Sequence, residues 1–348
     1  MTSYEGFVDG TKVLTRNGYK YIEDISLNDT LLTRGKIKKI LNLRRNIYNG
    51  YMYNIYIKNH PNVITCTEKQ QFFVREKKRI MINNETEIIF TDPKWKNANN
   101  LTTNDYYGMV INTRKTIPEF TLSDDITIKL CQKEYWYMMG YFVCDGWLDE
   151  IVRRDGKCTH EIRIAVKNNQ DEKETLGCIN EILPLKKIPT ISKRCKVSGC
   201  SSFVWHSILK MYGKINEKLI PEWVQDAPIE FIQEFINGYM KADGCIDKCS
   251  GVAVVSYNLA LGLQRLYLKL GYIFNVSKSR LSAVNGRAVS SYCLIGNEND
   301  KSFVEDDYVW YEPFHISKIK AIDTHVYNVE IENGNSYVVE NKIINNCQ

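Results

Sequence analysis

Two aspartates stand at matching places in an internal repeat. Met138-Met139-Gly140-Tyr141-Phe142-Val143-Cys144-Asp145-Gly146 parallels Ile236-Asn237-Gly238-Tyr239-Met240-Lys241-Ala242-Asp243-Gly244, and positions 145 and 243 lie 98 apart. In each copy a glycine precedes the aspartate by five residues, and an Asp-Gly closes an apolar helical run. One copy alone reads as a buried helix with a polar last turn and a glycine in the left-handed C′ position. Two copies read differently, because Gly140 and Gly238 remove side chains where two helices can approach closely. The helices are then expected to cross on a pseudo-twofold axis and bring Asp145 and Asp243 side by side. A carboxylate at a helix C-terminus meets the negative end of the dipole, and two adjacent carboxylates repel. A divalent cation relieves both conflicts. Oxygen donors with few other ligands suit Mg²⁺, which keeps several waters and takes phosphate oxygens. A metal held this way orients an attacking water and stabilises the leaving oxygen of a phosphodiester.

The elements that must carry these residues follow from periodicity. Glu134 to Cys144, Asp171 to Leu183, Ile229 to Ala242 and Leu259 to Leu270 have helical spacing, with strand-like runs such as Glu161 to Val166 between them. Each copy continues as strands, a helix (Thr175 to Leu183; Leu259 to Leu270) and more strands (Thr190 to Val204; Tyr272 to Val276, then Ser290 to Ile295). Two αββαββ-like units in one chain imply a pseudo-twofold fold. Basic side chains on those strands, Arg163, Lys167, Lys193, Arg194, Lys196, Lys278 and Arg280, could contact bases and phosphates, or simply face solvent.

The flanks are of another kind. Lys12-Val13-Leu14-Thr15, Tyr19 to Ile22, Asp29 to Thr33, Tyr51 to Ile57, Val63 to Thr67, Gln71 to Val74 and Ile88 to Phe90 are short β-branched and aromatic runs separated by turn residues. From about Tyr308 short strands return, at His325 to Ile331, Asn335 to Val339 and Ile343-Ile344. An all-β domain is thus expected to be interrupted by an α+β insertion.

Composition sets the bounds. A length of 348 residues predicts two or three domains, and 44% hydrophobic with 25% charged residues excludes a disordered or fibrous chain. There is no run of about 18 apolar residues and no signal-like start, so neither a membrane span nor secretion is expected. The eleven cysteines are spread through a chain large enough to need no staples, and they read as free thiols. Cys195-x4-Cys200 and Cys245-x3-Cys249 lack CxxC spacing and carry no expectation of zinc. A net charge of +5 permits a nucleic-acid partner without demanding one.

The paired Gly…Asp-Gly segments resemble the LAGLIDADG motif of homing endonucleases, over about residues 131–300. The resemblance implies an αββαββ pair whose sheets form a saddle on duplex DNA. It also places Asp145 and Asp243 at the catalytic, metal-holding position.

The flanking halves resemble inteins over about residues 6–115 and 301–347. The amino-terminal block is matched by Gly6 to Thr15 with Tyr21-Ile22-Glu23-Asp24-Ile25, and a further block by Trp95-Lys96-Asn97-Ala98 with Leu101 and Asp105. Val326 to Glu330, Asn335 to Val338 and Ile343-Ile344-Asn345-Asn346-Cys347 match the carboxy-terminal blocks. Splicing needs a nucleophile at the first residue, a second nucleophile after the carboxy-terminal junction, and a cyclising asparagine. Cys347 and Asn346 match the last two. Gly6 has no nucleophile, the family's Thr-x-x-His appears as Thr67-Glu68-Lys69-Gln70, and the usual penultimate histidine is Asn345. The two histidine positions therefore hold groups that do not titrate near neutrality.

The resulting expectation is a multidomain protein in which an all-β, horseshoe-like Hint splicing domain is interrupted by a pseudo-twofold α+β LAGLIDADG endonuclease domain. The expected layout is an upstream flank at 1–5, Hint at 6–115, a linker at 116–130, endonuclease at 131–300, Hint at 301–346 and a downstream flank at 347–348. The expected activity is Mg²⁺-dependent cleavage of double-stranded DNA at a long asymmetric homing site, by a monomer, with splicing disabled or slow. Host flanks would be partners in cis, the membrane would not be one, and the host would set an intracellular location in cytoplasm or nucleus. Two rival readings are a degenerate intein that grips DNA without cutting it and a free-standing homing endonuclease that retains a Hint-like domain. Intact Asp145 and Asp243 argue against the first; Asn346-Cys347 and the residues before Gly6 argue against the second.

Overall fold

A computed structural model of the chain describes residues 5–34, 36–58, 60–82, 85–152, 154–167, 172–188, 195–214, 217–243, 252–278, 282–284, 287–289, 291–296, 301–334 and 336–345. The chain divides into two compact units, one of Met1–Thr113, Asn275–Ser277 and Asn297–Gln348, the other of Arg114–Phe274 and Lys278–Gly296.

The first unit is β-rich. Its main feature is a pair of long antiparallel strands, Ile37–Ile57 and Pro313–Ile331, in register from Ile57 opposite Pro313 to Ile40 opposite Ile331. Sequence patterning reads only Tyr51 to Ile57 and His325 to Ile331 as strands. The rest is polar and half-exposed, and it is held extended by main-chain bonds to a partner some 270 residues away, which no local pattern records. The ladder slips between Ala321 and Thr324, where Asp323 has φ of 46° and its N–H donates to Asn49 Oδ1 at 2.8 Å. Lys342–Asn345 closes the unit, pairing with Ser336–Val339 through a two-residue turn and with Gln71 and Phe72 on its other side. Glu340 and Asn341 both have positive φ in that turn, as a tight hairpin requires. Phe7, Phe72 and Tyr107 pack edge to face at 6.4 and 5.8 Å in the buried core.

The second unit contains α1 (Lys133–Asp145), α2 (Glu172–Asn180), α3 (Phe203–Leu209), α4 (Glu222–Gln225), α5 (Ile229–Asp243) and α6 (Tyr257–Lys269). Helix α1 is buried almost all round from Trp136 to Val143, which marks a core helix. Helix α5 buries Phe231, Ile232, Phe235, Ile236, Tyr239 and Ala242 while Gln233, Asn237 and Lys241 stay exposed. One sheet runs Gly146–Val152, Cys158–Lys167, Cys195–Ser201, Lys186–Ile188 in spatial order, all antiparallel. The first repeat therefore reads α-β-β-α-β-β. In the second, residues 244–251 lie outside the described residues, and Val252–Val254 pairs with Tyr292–Gly296.

Two local expectations are corrected. Gly146 is not a left-handed cap: its φ is −109°, and the chain passes from helix directly into strand. A Cβ there would lie 2.2 Å from the Phe142 ring, so the glycine serves close packing and not a turn. The strand expected through Val204 ends at Ser201. Ser202 caps α3 by accepting the Trp205 N–H at 3.3 Å, which turns Phe203 and Val204 into helix. Among the described residues no helix is long and apolar enough to cross a membrane.

Candidate functional site

Helices α1 and α5 meet backbone to backbone. A Cβ at Gly140 would lie 1.9 Å from the Phe235 carbonyl oxygen, and one at Gly238 would lie 2.0 Å from that of Tyr137. Each glycine thus meets the carbonyl three residues before the other glycine. The 98-residue offset of the repeat maps each of these contacts onto the other, which is the signature of a local twofold axis. Beyond the crossing each helix runs five residues further, to Asp145 and to Asp243. Of Asp243 only the helical backbone is described.

The C-terminal turn of α1 is held by a residue that sequence reasoning missed. Lys218 is buried, and its Nζ donates to the carbonyls of Val143 at 2.6 Å, Gly146 at 3.0 Å and Phe142 at 3.5 Å. It supplies positive charge where the helix dipole is negative and where Asp145 projects. Burial pulls its pKa down to about 8, opposed by the nearby Cys144 and Asp145. No motif marks it, since the second motif begins 18 positions further on, at Ile236. A cavity of about 910 Å³ opens beside it, lined by Phe142, Gly146, Trp147 and Lys214 among others.

The strand cations expected to meet DNA are placed variously. Arg163 bridges Asp149 at 3.1 Å and Glu161 at 2.9 Å, so a phosphate would have to compete for it. Lys196 is half-buried and Lys278 exposed. Lys193, Arg194 and Arg280, and the side chain of Lys167, lie outside the described residues.

In the β unit, four of the positions singled out by the second resemblance converge. The Gly6 N–H donates to Thr67 Oγ1 at 3.1 Å, and the Thr67 N–H donates back to the Gly6 carbonyl at 3.0 Å. Gln70, fully buried, donates its Nε2 to the Asn345 carbonyl at 2.6 Å, and Asn345 Nδ2 donates to Gln71 Oε1 at 2.7 Å. Thr67 and Gln70 come from one turn, in which the Gln70 N–H donates to the Thr67 carbonyl at 3.2 Å. Asn346 and Cys347 lie outside the described residues. Sequence reasoning reads His325 to Ile331 as a strand but misses its place behind Gly6: a Cβ on Gly6 would lie 2.6 Å from the Tyr327 carbonyl oxygen. The position accepts glycine and crowds anything larger.

Comparison with known proteins gives a family match over the second copy of the repeat. Residues 230–306 match the family described as LAGLIDADG-like domain. An uncharacterized protein of Methanocaldococcus jannaschii is 22% identical over 253 residues, 62% of this chain and 28% of that protein. The chain thus spans little more than a quarter of the length of the curated relative it matches. Among solved structures, a mesophilic variant of the homing endonuclease I-DmoI is 16% identical over 48% of this chain and 89% of its own, with a TM-score of 0.37. I-DmoI in complex with DNA and Mn gives the same identity and score over 47% and 89%. The gp41-1 intein is 19% identical over 27% of this chain and 84% of its own, with a TM-score of 0.19.

Proposed function

We propose that this chain is an intein carrying a site-specific, Mg²⁺-dependent double-strand DNA endonuclease, with a splicing centre that is disabled or slow. The observation that carries the reading is the twofold-related contact of Gly140 with Phe235 and Gly238 with Tyr137, each glycine five residues before an aspartate. Divergent helices would need no such symmetry. The match of residues 230–306 to a LAGLIDADG-like domain supports it for the second helix of the pair.

The donor chemistry fits a hard cation, for α1 ends in a carboxylate beside carbonyls whose dipoles already need a positive charge. Asp145 and Asp243 would hold Mg²⁺, which when bound supplies Lewis-acid stabilisation of a cleaved phosphodiester. Lys218 is a positioning residue: by tying off three carbonyls it fixes the last turn of α1 and hence the origin of the Asp145 side chain. Basic and polar side chains on the strands would supply affinity for duplex DNA, through phosphates first and base edges second.

The splicing reading rests on the convergence of Gly6, Thr67, Gln70 and Asn345. Thr67 and Gln70 hold the main chain at the two expected junctions, so the scaffold is kept while a thiol and two imidazoles are lacking. An amide at position 70 donates a hydrogen bond to the Asn345 carbonyl but cannot pass a proton. Host flanks in cis and a monomeric state belong to the same proposal.

The test is incubation of the full chain with a DNA library containing uninterrupted candidate insertion sites, with and without Mg²⁺. Metal-dependent double-strand breaks at one long site are the expected result. Specific binding without breaks would establish a DNA-gripping element in place of an enzyme.

A further inference from the structure

Away from the two aspartates, three side chains of the α+β unit bring unlike ligand atoms together. Glu150 and His160 are directly opposite on adjacent antiparallel strands, so their side chains share one face of the sheet. Helix α3 lays His206 against them, with the two imidazole rings 4.9 Å apart. One donor atom from each of the three lies within 4.8 Å of the other two. The placement is held by backbone: the Ser202 N–H donates to the His160 carbonyl at 3.1 Å, and the His206 N–H donates to the Ser202 carbonyl at 2.9 Å. Phe203 packs edge-on to His160 at 5.4 Å.

A second observation points to a missing ligand. His206 is 97% buried, and its Nε2 has no hydrogen-bond partner; neither has the buried Nδ1 of His160. Two imidazole nitrogens buried unpaired within one cluster are poorly accommodated by protein alone, because each has given up water without gaining a donor or acceptor. Glu150 is only loosely engaged, through an exposed pair with Lys210 at 2.9 Å.

We propose that Glu150, His160 and His206 form a first-row transition-metal site, suited to Zn²⁺, that clips the strand pair Gly146–Val152 and Cys158–Lys167 to helix α3. Two imidazoles and a carboxylate are borderline donors that favour Zn²⁺ over Mg²⁺. Tetrahedral ligands at about 2.0–2.1 Å from zinc lie about 3.3 Å from one another, so the set needs only side-chain adjustment to close. Lys210, largely exposed, is free to swing off Glu150, and the fourth position opens toward the cavity that Glu150 and His206 line. The proposal is independent of the endonuclease reading, and the test does not use cleavage.

The full chain, stripped with a chelator and dialysed, is titrated with Co²⁺ as a spectroscopic stand-in for zinc. One equivalent should bring up the visible bands of a four-coordinate ion, which Zn²⁺ removes and Mg²⁺ does not. Zn²⁺ should also raise Tm. Glu150→Gln, at an exposed position that tolerates the change, and His160→Gln should each weaken Co²⁺ binding by at least about tenfold and abolish the Tm gain. The metal-free circular dichroism of Glu150→Gln should match the parent. Absence of visible bands, bands unchanged in both variants, or thiolate charge-transfer bands placing the ion on cysteines would each overturn the site.

Discussion

The α1–α5 crossing and the turn around Thr67 are both places where main chain meets main chain, yet they differ in what the side chains retain. At the crossing, two glycines admit the partner's carbonyl to the position of a Cβ, and each helix still ends in a carboxylate. Around Thr67 the main chain is gripped just as closely, by Gly6–Thr67 and Gln70–Asn345 hydrogen bonds. The groups there are an absent side chain and two amides. Backbone geometry and reactive chemistry are therefore separable. On the proposed splicing reading, a scaffold kept by packing and main-chain bonding would tolerate a junction without a nucleophile, because the bonds that hold position 6 are made by main chain and by Thr67 and need no thiol.

The comparison is broken most severely at the crossing glycines. Gly140→Ala or Gly238→Ala places a methyl group about 2 Å from a carbonyl oxygen, which neither helix can yield without separating. Overpacking of this kind costs about 3 kcal/mol or more. The α+β unit should lose about 10 °C of thermal stability, or fail to fold, by calorimetry of the full chain. The β unit's transition should stay in place.

Next in size is the loss of a carboxylate with the crossing intact. Asp145→Asn should reduce Mg²⁺-dependent cleavage about 100-fold or more while gel-shift affinity for the same DNA stays within a few-fold. Cleavage at the parental rate would show that the helix ends do not hold the metal.

A third variant tests the proposed splicing reading by supplying a thiol at position 6. Gly6→Cys supplies a thiol but sets its Cβ 2.6 Å from the Tyr327 carbonyl, so the β unit should lose about 1–3 kcal/mol. Thiol-induced cleavage before residue 6, followed by intact mass, should remain slight until Gln70→His is added. Efficient cleavage by the single variant would mean that the strand behind Gly6 yields easily.

The smallest effect separates two buried lysines. Burial lowers Lys342 to about 7, with Glu340 opposing, and its Nζ lies 4.2 Å from the centre of the Tyr311 ring. Burial lowers Lys218 to about 8, but three carbonyls receive its protons. In both cases the folded pKa lies below the usual lysine value of 10.5, so the unfolded chain binds more protons between the two values and stability rises with pH there. Lys342→Met should flatten that rise from about pH 7 upward and leave the protein as stable or more so at pH 7. Lys218→Met should destabilise the α+β unit at every pH by orphaning carbonyls at the end of α1. Urea midpoints at pH 7, 8 and 9 check both.

What sequence determined was the repeat, the paired glycines and aspartates within it, and the change from β punctuation to helical period and back. These are local patterns of spacing, and helices α1, α5 and α6 fall within a few residues of where that spacing puts them. Tertiary structure alone decided what depended on distant partners. The long strands Ile37–Ile57 and Pro313–Ile331 are held by each other and not by their own periodicity. Lys218 reaches α1 from some 70 residues away, and His206 meets His160 across 46 residues with no motif to announce either. Even Gly146, legible as a glycine that matters, serves the Phe142 ring and not a turn. A residue's type and spacing specify the conformations it permits, whereas the surface that fills the space beside it is known only once the rest of the chain has folded against it.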